Sequence, residues 1–234
     1  MIIKGLTKKG ILFTIASGRP YQSVKPYAKQ LEIRLPIITT NGALVRYLNG
    51  KIIYELPLAD DYVYELIDFG LKSKLGVILY YKDKFETFSE STAKIQQKLE
   101  KIELGVIKKY ENDYAPLKIV YCGDPGKIEE LYPDINLLFS KNLYITQSEK
   151  IYLEFMNTSV SKGIALKKII EEYGFKKSEV ISIGNNYNDI PMFKESGTAV
   201  AMANSPDEVK KKADLLTDTN NNLGVFKILQ KLFF

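Results

Sequence analysis

The chain has 234 residues, of which 45% are hydrophobic and 26% charged, and this composition argues against disordered and fibrous folds. Its formal net charge of +5 comes from lysines that are spread along the chain among glutamates, which argues against a nucleic-acid partner. No apolar run is long enough to span a bilayer, and the first residues lack a secretory signal pattern. The sequence therefore predicts no membrane partner and a cytoplasmic location.

Two scarce residue types narrow the chemistry. The chain has no histidine, so the commonest general base and transition-metal ligand is absent. Ser–His hydrolases and typical zinc hydrolases are thereby excluded, which leaves magnesium-dependent phosphoryl transfer as the main catalytic option. The single cysteine, Cys122, ends an apolar stretch at residues 117–122, which predicts a buried strand thiol. One cysteine excludes an intramolecular disulfide and agrees with a reducing compartment.

The first fifty residues predict alternating helices and strands. A helix at the start is followed by a strand at residues 11–16, a helix from Pro20 to about Leu31 and a strand at 36–40. The segment Thr-Thr-Asn-Gly-Ala at residues 39–43 predicts a polar turn at a strand end, where open α/β sheets bind their ligands. Asn49-Gly50 predicts a two-residue hairpin loop between short strands.

A different pattern fills residues 53–156, which we interpret as an inserted domain. It predicts a helix at 61–74, strands at 77–81 and 85–88, a helix at 92–104 and several further strands up to residue 155. Its β-rich, aromatic composition predicts an antiparallel sheet covered on one side by helices. Packing is the expected role of its tyrosines, which include Tyr80, Tyr81, Tyr121 and Tyr152.

The α/β pattern resumes after this domain, so residues 1–52 and 157–234 are predicted to form one core domain. The predicted elements are a helix from Ser161, a strand at 180–183, a helix after Asn188, a strand at 198–202, a helix from Pro206 and a last helix near Val225. The basic run at residues 210–212 is typical of the solvated end of a helix.

Residues 183–192, with the sequence Ile-Gly-Asn-Asn-Tyr-Asn-Asp-Ile-Pro-Met, are the most informative segment. A buried strand enters a polar turn there, Gly184 permits the sharp exit, and Asn188 or Asp189 can cap the helix that follows. Acid and amide oxygens are therefore expected to gather at one strand end.

Two other positions favour an anion site. Ser17 ends its predicted strand just before Gly18, so its hydroxyl and the next backbone amides would face a phosphate, unless Ser17 is a simple helix N-cap. Lys162 opens a helix, where a cation opposes the helix dipole, so a negative group is expected nearby. The alternative for Lys162 is a side chain that points into solvent.

These segments together resemble the motifs of the haloacid dehalogenase superfamily of phosphatases, most closely its Cof-type branch. The resemblance implies a doubly wound parallel-sheet α/β core with an inserted α+β cap domain, and Mg²⁺-dependent hydrolysis of small phosphorylated metabolites. It also implies the site residues: catalytic Ser17, Lys162 and Asp189; substrate-binding Gly18, Asn41, Gly42 and Asn188; and the metal ligands Asn185 and Asp189.

The sequence departs from the family pattern in two ways. The family's Asp-x-Asp nucleophile motif does not occur, because Met1 falls inside the first predicted helix and the first strand of the sheet is expected to be missing. Asn185 stands where the family usually has an aspartate, and a neutral amide is a weaker Mg²⁺ ligand. The missing strand would leave unpaired backbone in the sheet unless another segment or a partner chain fills its place, or the sheet closes up.

Three interpretations stay open. The chain is an impaired phosphatase, a non-catalytic relative that binds a phosphorylated ligand, or a shortened version of a competent enzyme. The resemblance does not predict the identity of the substrate, and a homo-oligomer is left open.

Overall fold

The structure, a computed structural model, describes residues 2–111 and 114–234. No helix in these ranges is both long and apolar enough to cross a membrane. The chain divides into two compact units. The core unit comprises Met1–Gly18, Val24–Tyr54 and Ser161–Phe234, and the inserted unit comprises Arg19–Ser23 and Glu55–Val160.

The helices and strands alternate along most of the chain. The helices are α1 (Ile2–Lys8), α2 (Tyr21–Gln30), α3 (Asp60–Lys72), α4 (Glu90–Glu100), α5 (Pro125–Phe139), α6 (Lys162–Tyr173), α7 (Ile190–Lys194), α8 (Asp207–Lys210) and α9 (Gly224–Phe233). The strands are β1 (Ile37–Thr39), β2 (Leu44–Arg46), β3 (Ile52–Glu55), β4 (Gly76–Tyr80), β5 (Phe85–Thr87), β6 (Gly105–Val106), β7 (Lys118–Cys122), β8 (Leu143–Glu149), β9 (Tyr152–Asn157), β10 (Ile181–Gly184), β11 (Thr198–Met202) and β12 (Leu215–Thr217).

The core unit contains two small sheets that share one hydrophobic core. Strands β10, β11 and β12 form a parallel sheet in that order, and β1, β2 and β3 form the other. Ile38 of β1 and Ala201 of β11 belong to the same buried cluster as Ala165 and Ile169 of α6. The apolar face of α6 therefore joins the two sheets.

The strand predicted at residues 11–16 is wrong for most of its length. Only Ala16 forms a bridge, parallel to Ile38 of β1. The amide of Ile38 donates to the carbonyl of Ile15 at 2.9 Å, and the amide of Ser17 donates to the carbonyl of Ile38 at 3.0 Å. A strand needs a partner along its length, and β1 offers only three residues.

The parallel sheet of the core is therefore divided rather than continuous. Strand β10 pairs with β11 alone, and no strand within the described residues pairs with both β10 and residues 11–16. Of the three alternatives for the missing strand, the one in which another segment of the chain fills its place is not supported by those residues. The α/β class of the fold is nevertheless confirmed.

The hydrogen-bonded pair Tyr47 and Lys51, between β2 and β3, encloses a loop of three residues rather than the predicted two. The amide of Tyr47 donates to the carbonyl of Lys51 at 2.9 Å, and the amide of Gly50 donates back to the carbonyl of Tyr47 at 3.0 Å. The positive φ of 98° belongs to Gly50 and not to Asn49. A turn followed by a left-handed glycine is the usual form of a three-residue hairpin loop.

The inserted unit is built on a six-stranded sheet with the order β6-β5-β4-β7-β9-β8. Its pairs are antiparallel except for β5 and β6. Helices α3 and α5 bury Leu66 and Ile128 against one face, in a cluster with Tyr121 and Phe155. On the other face, the hydroxyl of Tyr152 donates to Gln96 of α4 at 3.0 Å.

The prediction of helices on one side only is thus wrong, because both faces of this sheet carry apolar side chains that need cover. The second face contributes Ile78, Tyr80 and Val120 to a separate buried cluster. The packing role predicted for the tyrosines is confirmed, since each of the four is buried in the unit: Tyr80, Tyr81, Tyr121 and Tyr152.

Helix α5 was not predicted, although its start carries a clear signal. Asp124 accepts a hydrogen bond from the amide of Lys127 at 3.1 Å as N-cap, and Pro125 is the first helical residue.

The two ends of the segment Glu55–Val160 lie close together. The side-chain amide of Asn157 donates to the carbonyl of Pro57 at 3.3 Å.

Candidate functional site

A buried ion pair marks the amino end of α6. Lys162, the first residue of this helix, is only 6% exposed, and its Nζ donates to Oδ1 of Asp189 at 2.6 Å. Ser161 caps the helix by accepting the amide of Ile164 at 3.0 Å. The negative partner predicted for Lys162 is confirmed, and the alternative of a lysine pointing into solvent is wrong.

The second oxygen of Asp189 is held by the backbone of its own turn. Oδ2 accepts the amides of Asn185 at 2.8 Å and Asn186 at 3.0 Å. A Cβ on Gly184 would lie 2.5 Å from Cβ of Asp189, so the strand end passes too close to this residue for any side chain. The carboxylate is therefore fixed in one orientation toward Lys162.

The prediction that Asn188 or Asp189 caps the following helix is confirmed for Asp189 by position, since Asp189 is the N-cap residue of α7. The Asn186 side chain accepts the amide of Tyr187 at 2.8 Å and opens a 3-10 turn at Tyr187–Asp189, ahead of α7. Asp189 makes no capping hydrogen bond to α7, because both its oxygens are engaged elsewhere. The signal for Asn186 was present, since an Asx residue three positions before an acid is a capping-box pattern.

The polar turn after β1 adopts a run of left-handed backbone. Thr40 and Asn41 have φ values of 51° and 57°, and Gly42 has a φ of 106°. The Asn41 amide donates to the carbonyl of Ser17 at 3.1 Å. A Cβ on Gly42 would lie 2.3 Å from the carbonyl oxygen of Ser161. The turn is thus held directly against the amino end of α6.

Two asparagines that lie 147 positions apart meet beside this turn. Nδ2 of Asn188 donates to Oδ1 of Asn41 at 2.9 Å. Gly18 leaves room for this contact, because a Cβ there would lie 2.7 Å from Oδ1 of Asn41. Oδ1 of Asn188 is buried without a hydrogen-bond partner among the described residues. A buried acceptor without a donor is unfavourable, which favours a ligand here or a rotated amide that donates to one.

The structure gathers the predicted site residues into two neighbouring groups within the core unit. The two groups are connected through the chain, because Asn188 belongs to one and its neighbour Asp189 to the other. One group contains Ser17, Gly18, Asn41, Gly42 and Asn188, and the other contains Lys162, Asn185 and Asp189. The contacts of these residues with a phosphate stay predictions. The helix predicted from Pro20 begins at Tyr21.

Mg²⁺ is the metal that the family resemblance implies, and the donor set does not fit it as a directly bound ion. Both oxygens of Asp189 are engaged by Lys162 and by backbone amides, and Asn185 offers only a neutral oxygen. Residues 2–111 and 114–234 contain no group of three acidic, cysteine or histidine side chains that could hold a metal. Mg²⁺ prefers carboxylates in octahedral geometry. The metal roles of Asn185 and Asp189 stay predictions.

The 3-10 turn at Tyr187–Asp189 also contacts α8. The hydroxyl of Tyr187 donates to Glu208 at 3.1 Å, and this hydrogen bond raises the pKa of Tyr187 above its ordinary value. Both side chains are exposed, so the contact restrains the turn from the solvent side only.

A family model described as haloacid dehalogenase-like hydrolase matches residues 1–229. The chain therefore belongs to the haloacid dehalogenase-like hydrolases, and the resemblance drawn from its motifs is confirmed.

Individual relatives agree with this assignment. A putative phosphatase of Haemophilus influenzae is 30% identical over all of this chain and 89% of its own length. The 5-amino-6-(5-phospho-D-ribitylamino)uracil phosphatase YcsE of Bacillus subtilis is 29% identical over 97% of this chain and 84% of its own length. A crystal structure of a haloacid dehalogenase-like hydrolase from Bacteroides thetaiotaomicron superimposes with a TM-score of 0.89 and 27% identity, over 99% of this chain and 90% of that one.

Proposed function

We propose that the core unit binds the phosphoryl group of a small phosphorylated metabolite, and that the 234-residue chain hydrolyses such a ligand slowly or not at all. The observation that carries this proposal is the buried Lys162–Asp189 pair at the amino end of α6. Relatives that are named as phosphatases support the class of ligand.

The electrostatics at the amino end of α6 favour an anion. Lys162 brings a desolvated ammonium to the amino end of a 12-residue helix, where backbone amides and the helix dipole add positive potential. Asp189 balances the formal charge of Lys162, so the remaining positive potential comes from the helix start, and the fixed carboxylate orients the ammonium. A phosphate that accepts from Lys162 gains a charge-assisted hydrogen bond in a site with little water.

Turnover is expected to be slow because the chain lacks a suitable attacking group. In the family mechanism an aspartate attacks phosphorus, and the 234 residues contain no Asp-x-Asp sequence. Asp189 is a poor nucleophile because its two oxygens accept three hydrogen bonds. Lys162 can still stabilise negative charge on the phosphoryl oxygens. Without an attacking group, however, it stabilises the bound ligand and the transition state equally, so it does not accelerate hydrolysis.

A phosphatase with measurable turnover is the second candidate, and membership of a hydrolase family favours it. In that case hydrolysis would depend on Mg²⁺, and carboxylates besides Asp189 would have to reach the metal.

Isothermal titration with inorganic phosphate tests the binding proposal. We expect Lys162→Met to weaken phosphate binding by about tenfold or more, because a charge-assisted hydrogen bond is lost. The matched control is Lys118→Met, which removes another buried lysine that pairs with a carboxylate, at 3.1 Å from Glu154 in the inserted unit. Lys162→Arg keeps the positive charge and provides a second variant in case Lys162→Met does not fold. Circular dichroism checks the fold of every variant.

Further experiments distinguish the binding function from a phosphatase activity. Since no metal ligand is part of the binding proposal, phosphate affinity should persist in EDTA. Equal affinity in the wild type and in Lys162→Met would contradict the binding site. Mg²⁺-dependent hydrolysis of p-nitrophenyl phosphate by the wild type, abolished by Asp189→Asn, would instead establish the phosphatase.

A further inference from the structure

A second concave site lies in the core unit, apart from the residues described above. Its cavity volume of about 580 Å³ is within the range of small-molecule sites. The pocket is lined by Lys177 from the turn before β10, Lys194 at the end of α7, and Lys212 shortly before β12. These positions lie at the amino ends of a parallel sheet, whereas Asp189 follows the carboxyl end of β10.

The charge of the pocket is unbalanced. None of the three ammonium groups forms an ion pair with any residue in the described ranges. The one acid in the wall, Asp214, accepts the amide of Ala199 at 2.8 Å. Three cations against one engaged carboxylate leave a positive concavity, and such a surface attracts small anions.

The pocket also has an apolar part. Ile190, Phe193 and Ala199 form its floor; Ile190 is partly exposed, whereas Phe193 and Ala199 are 5% and 3% exposed, so Ile190 offers the accessible apolar surface. An anion with no apolar body would use only the lysines, each of which contributes little while it is exposed to solvent. A ligand with an aromatic or aliphatic group would bury that group against the floor as well.

We propose that this pocket binds a small organic anion that carries a phosphate or carboxylate group on an apolar body. The anionic group lies among Lys177, Lys194 and Lys212, and the apolar body lies on the floor at Ile190. The site is distinct from the phosphoryl site at Lys162, since the two sets of lining residues share no member.

Phenylphosphonate, which has a non-hydrolysable P–C bond, is a suitable probe. In ¹H–¹⁵N spectra at low salt we expect millimolar probe to shift the amides of Gly197 and Ala199, and added KCl to weaken this binding by screening. Inorganic phosphate should shift the same amides less, because it lacks the apolar group.

Two matched triple variants test whether the pocket lysines bind the probe. Lys177→Gln/Lys194→Gln/Lys212→Gln should weaken the binding at Gly197 by about tenfold, the sum of three exposed charge contacts. Lys94→Gln/Lys98→Gln/Lys167→Gln removes the same charge from exposed lysines elsewhere and should leave it unchanged. Lys194→Glu alone provides a second test if the pocket triple does not fold.

The outcomes are separable from those of the phosphoryl site. Lys162→Met should retain the shifts at Gly197 even if it abolishes phosphate binding at α6. Absence of shifts at Gly197 in the wild type, or an equal loss in both triple variants, would overturn the proposal. The second result would mean that only the net charge of the chain matters.

Discussion

Lys118 and Lys162 are both buried lysines that pair with a carboxylate, but their surroundings differ. Nζ of Lys118 lies 3.1 Å from Glu154 and 4.5 Å from the ring centroid of Tyr80, within the sheet of the inserted unit. Lys162 lies at a helix start beside a turn that presents a buried amide oxygen of Asn188 without a partner in the described residues. The first pair is therefore assigned a structural role, and the second belongs to the proposed phosphoryl site.

The thiol of Cys122 gives a pH-dependent prediction. Burial raises the pKa of Cys122 to about 11 from an ordinary 9.0, and a hydrogen bond with Gln96 opposes this to a smaller extent. The thiolate is the reactive form, and its fraction falls tenfold for each pH unit below the pKa. At pH 8 we therefore expect iodoacetamide to alkylate Cys122 about a hundredfold more slowly than an exposed cysteine.

The rate should rise as the pH approaches 11, because more thiolate forms. Mass spectrometry of timed samples measures it, and the same chain in urea provides the exposed reference. A folded rate within about threefold of the urea rate would contradict the raised pKa of this thiol, which is partly buried.

At the scale of elements, the turn at residues 40–42 positions the site. Its left-handed backbone turns Asn41 toward Asn188, and Gly42 brings it into contact with the cap of α6. A positive φ at the β-branched Thr40 is uncommon, and backbone strain of this kind tends to occur at functional sites.

Gly42→Ala should destabilise the chain by about 2–4 kcal/mol, because a methyl group at a φ of 106° would also meet the carbonyl of Ser161 at 2.3 Å. Phosphate affinity should fall too, since the turn and α6 would separate. Gly174→Ala is the matched control, because Gly174 also has a positive φ, of 68°, but nothing lies within 4 Å of its Cβ position. The control should cost only about 1 kcal/mol.

Urea unfolding followed by circular dichroism measures both changes in the free energy of unfolding. The structural role assigned to the turn is wrong if Gly42→Ala costs no more than Gly174→Ala.

Local sequence signals predicted some elements and missed others for identifiable reasons. The strand at 198–202 was predicted with its observed bounds, because its apolar run is buried on both faces. Residues 11–16 have an equally apolar pattern, but they lack a partner along their length and form only one bridge. Helix α5 was missed because Gly126 and Pro133 lower its helix propensity.

The candidate site was predictable in part. Helix-dipole reasoning alone indicated a negative partner for Lys162, and the structure supplies Asp189. The meeting of Asn41 with Asn188 could not be derived from local patterns, because it joins positions 147 apart. Both asparagines were predicted as substrate-binding residues only because of the family resemblance. The family match confirms that resemblance.

At the scale of the whole molecule, the two units differ in how fully their strands are paired. Strands β4, β7 and β9 of the inserted unit each have a neighbour on both sides, whereas β10 pairs with β11 alone within the described strands. An edge strand leaves part of its backbone without a ladder partner.

Hydrogen exchange should therefore be faster in β10 than in β4, β7 and β9, by about tenfold or more, because edge amides open locally. Exchange followed by mass spectrometry of peptides measures this, with β11 as the internal control, since it has neighbours on both sides. If β10 proves as well protected as β11, its outer edge is covered by something other than a described strand.

The hydrogen bond between Asn157 and Pro57 has a consequence for the order of folding. Tyr54 and Ser161 are consecutive positions of the core unit that are separated along the chain by residues 55–160. Closing a disordered loop of roughly 100 residues costs about 4 kcal/mol of chain entropy. Once the inserted unit has folded, its ends are already together, so the core unit no longer has to close this loop. We therefore expect prior folding of the inserted unit to accelerate assembly of the site, although this unit contributes neither Lys162 nor Asp189 to it.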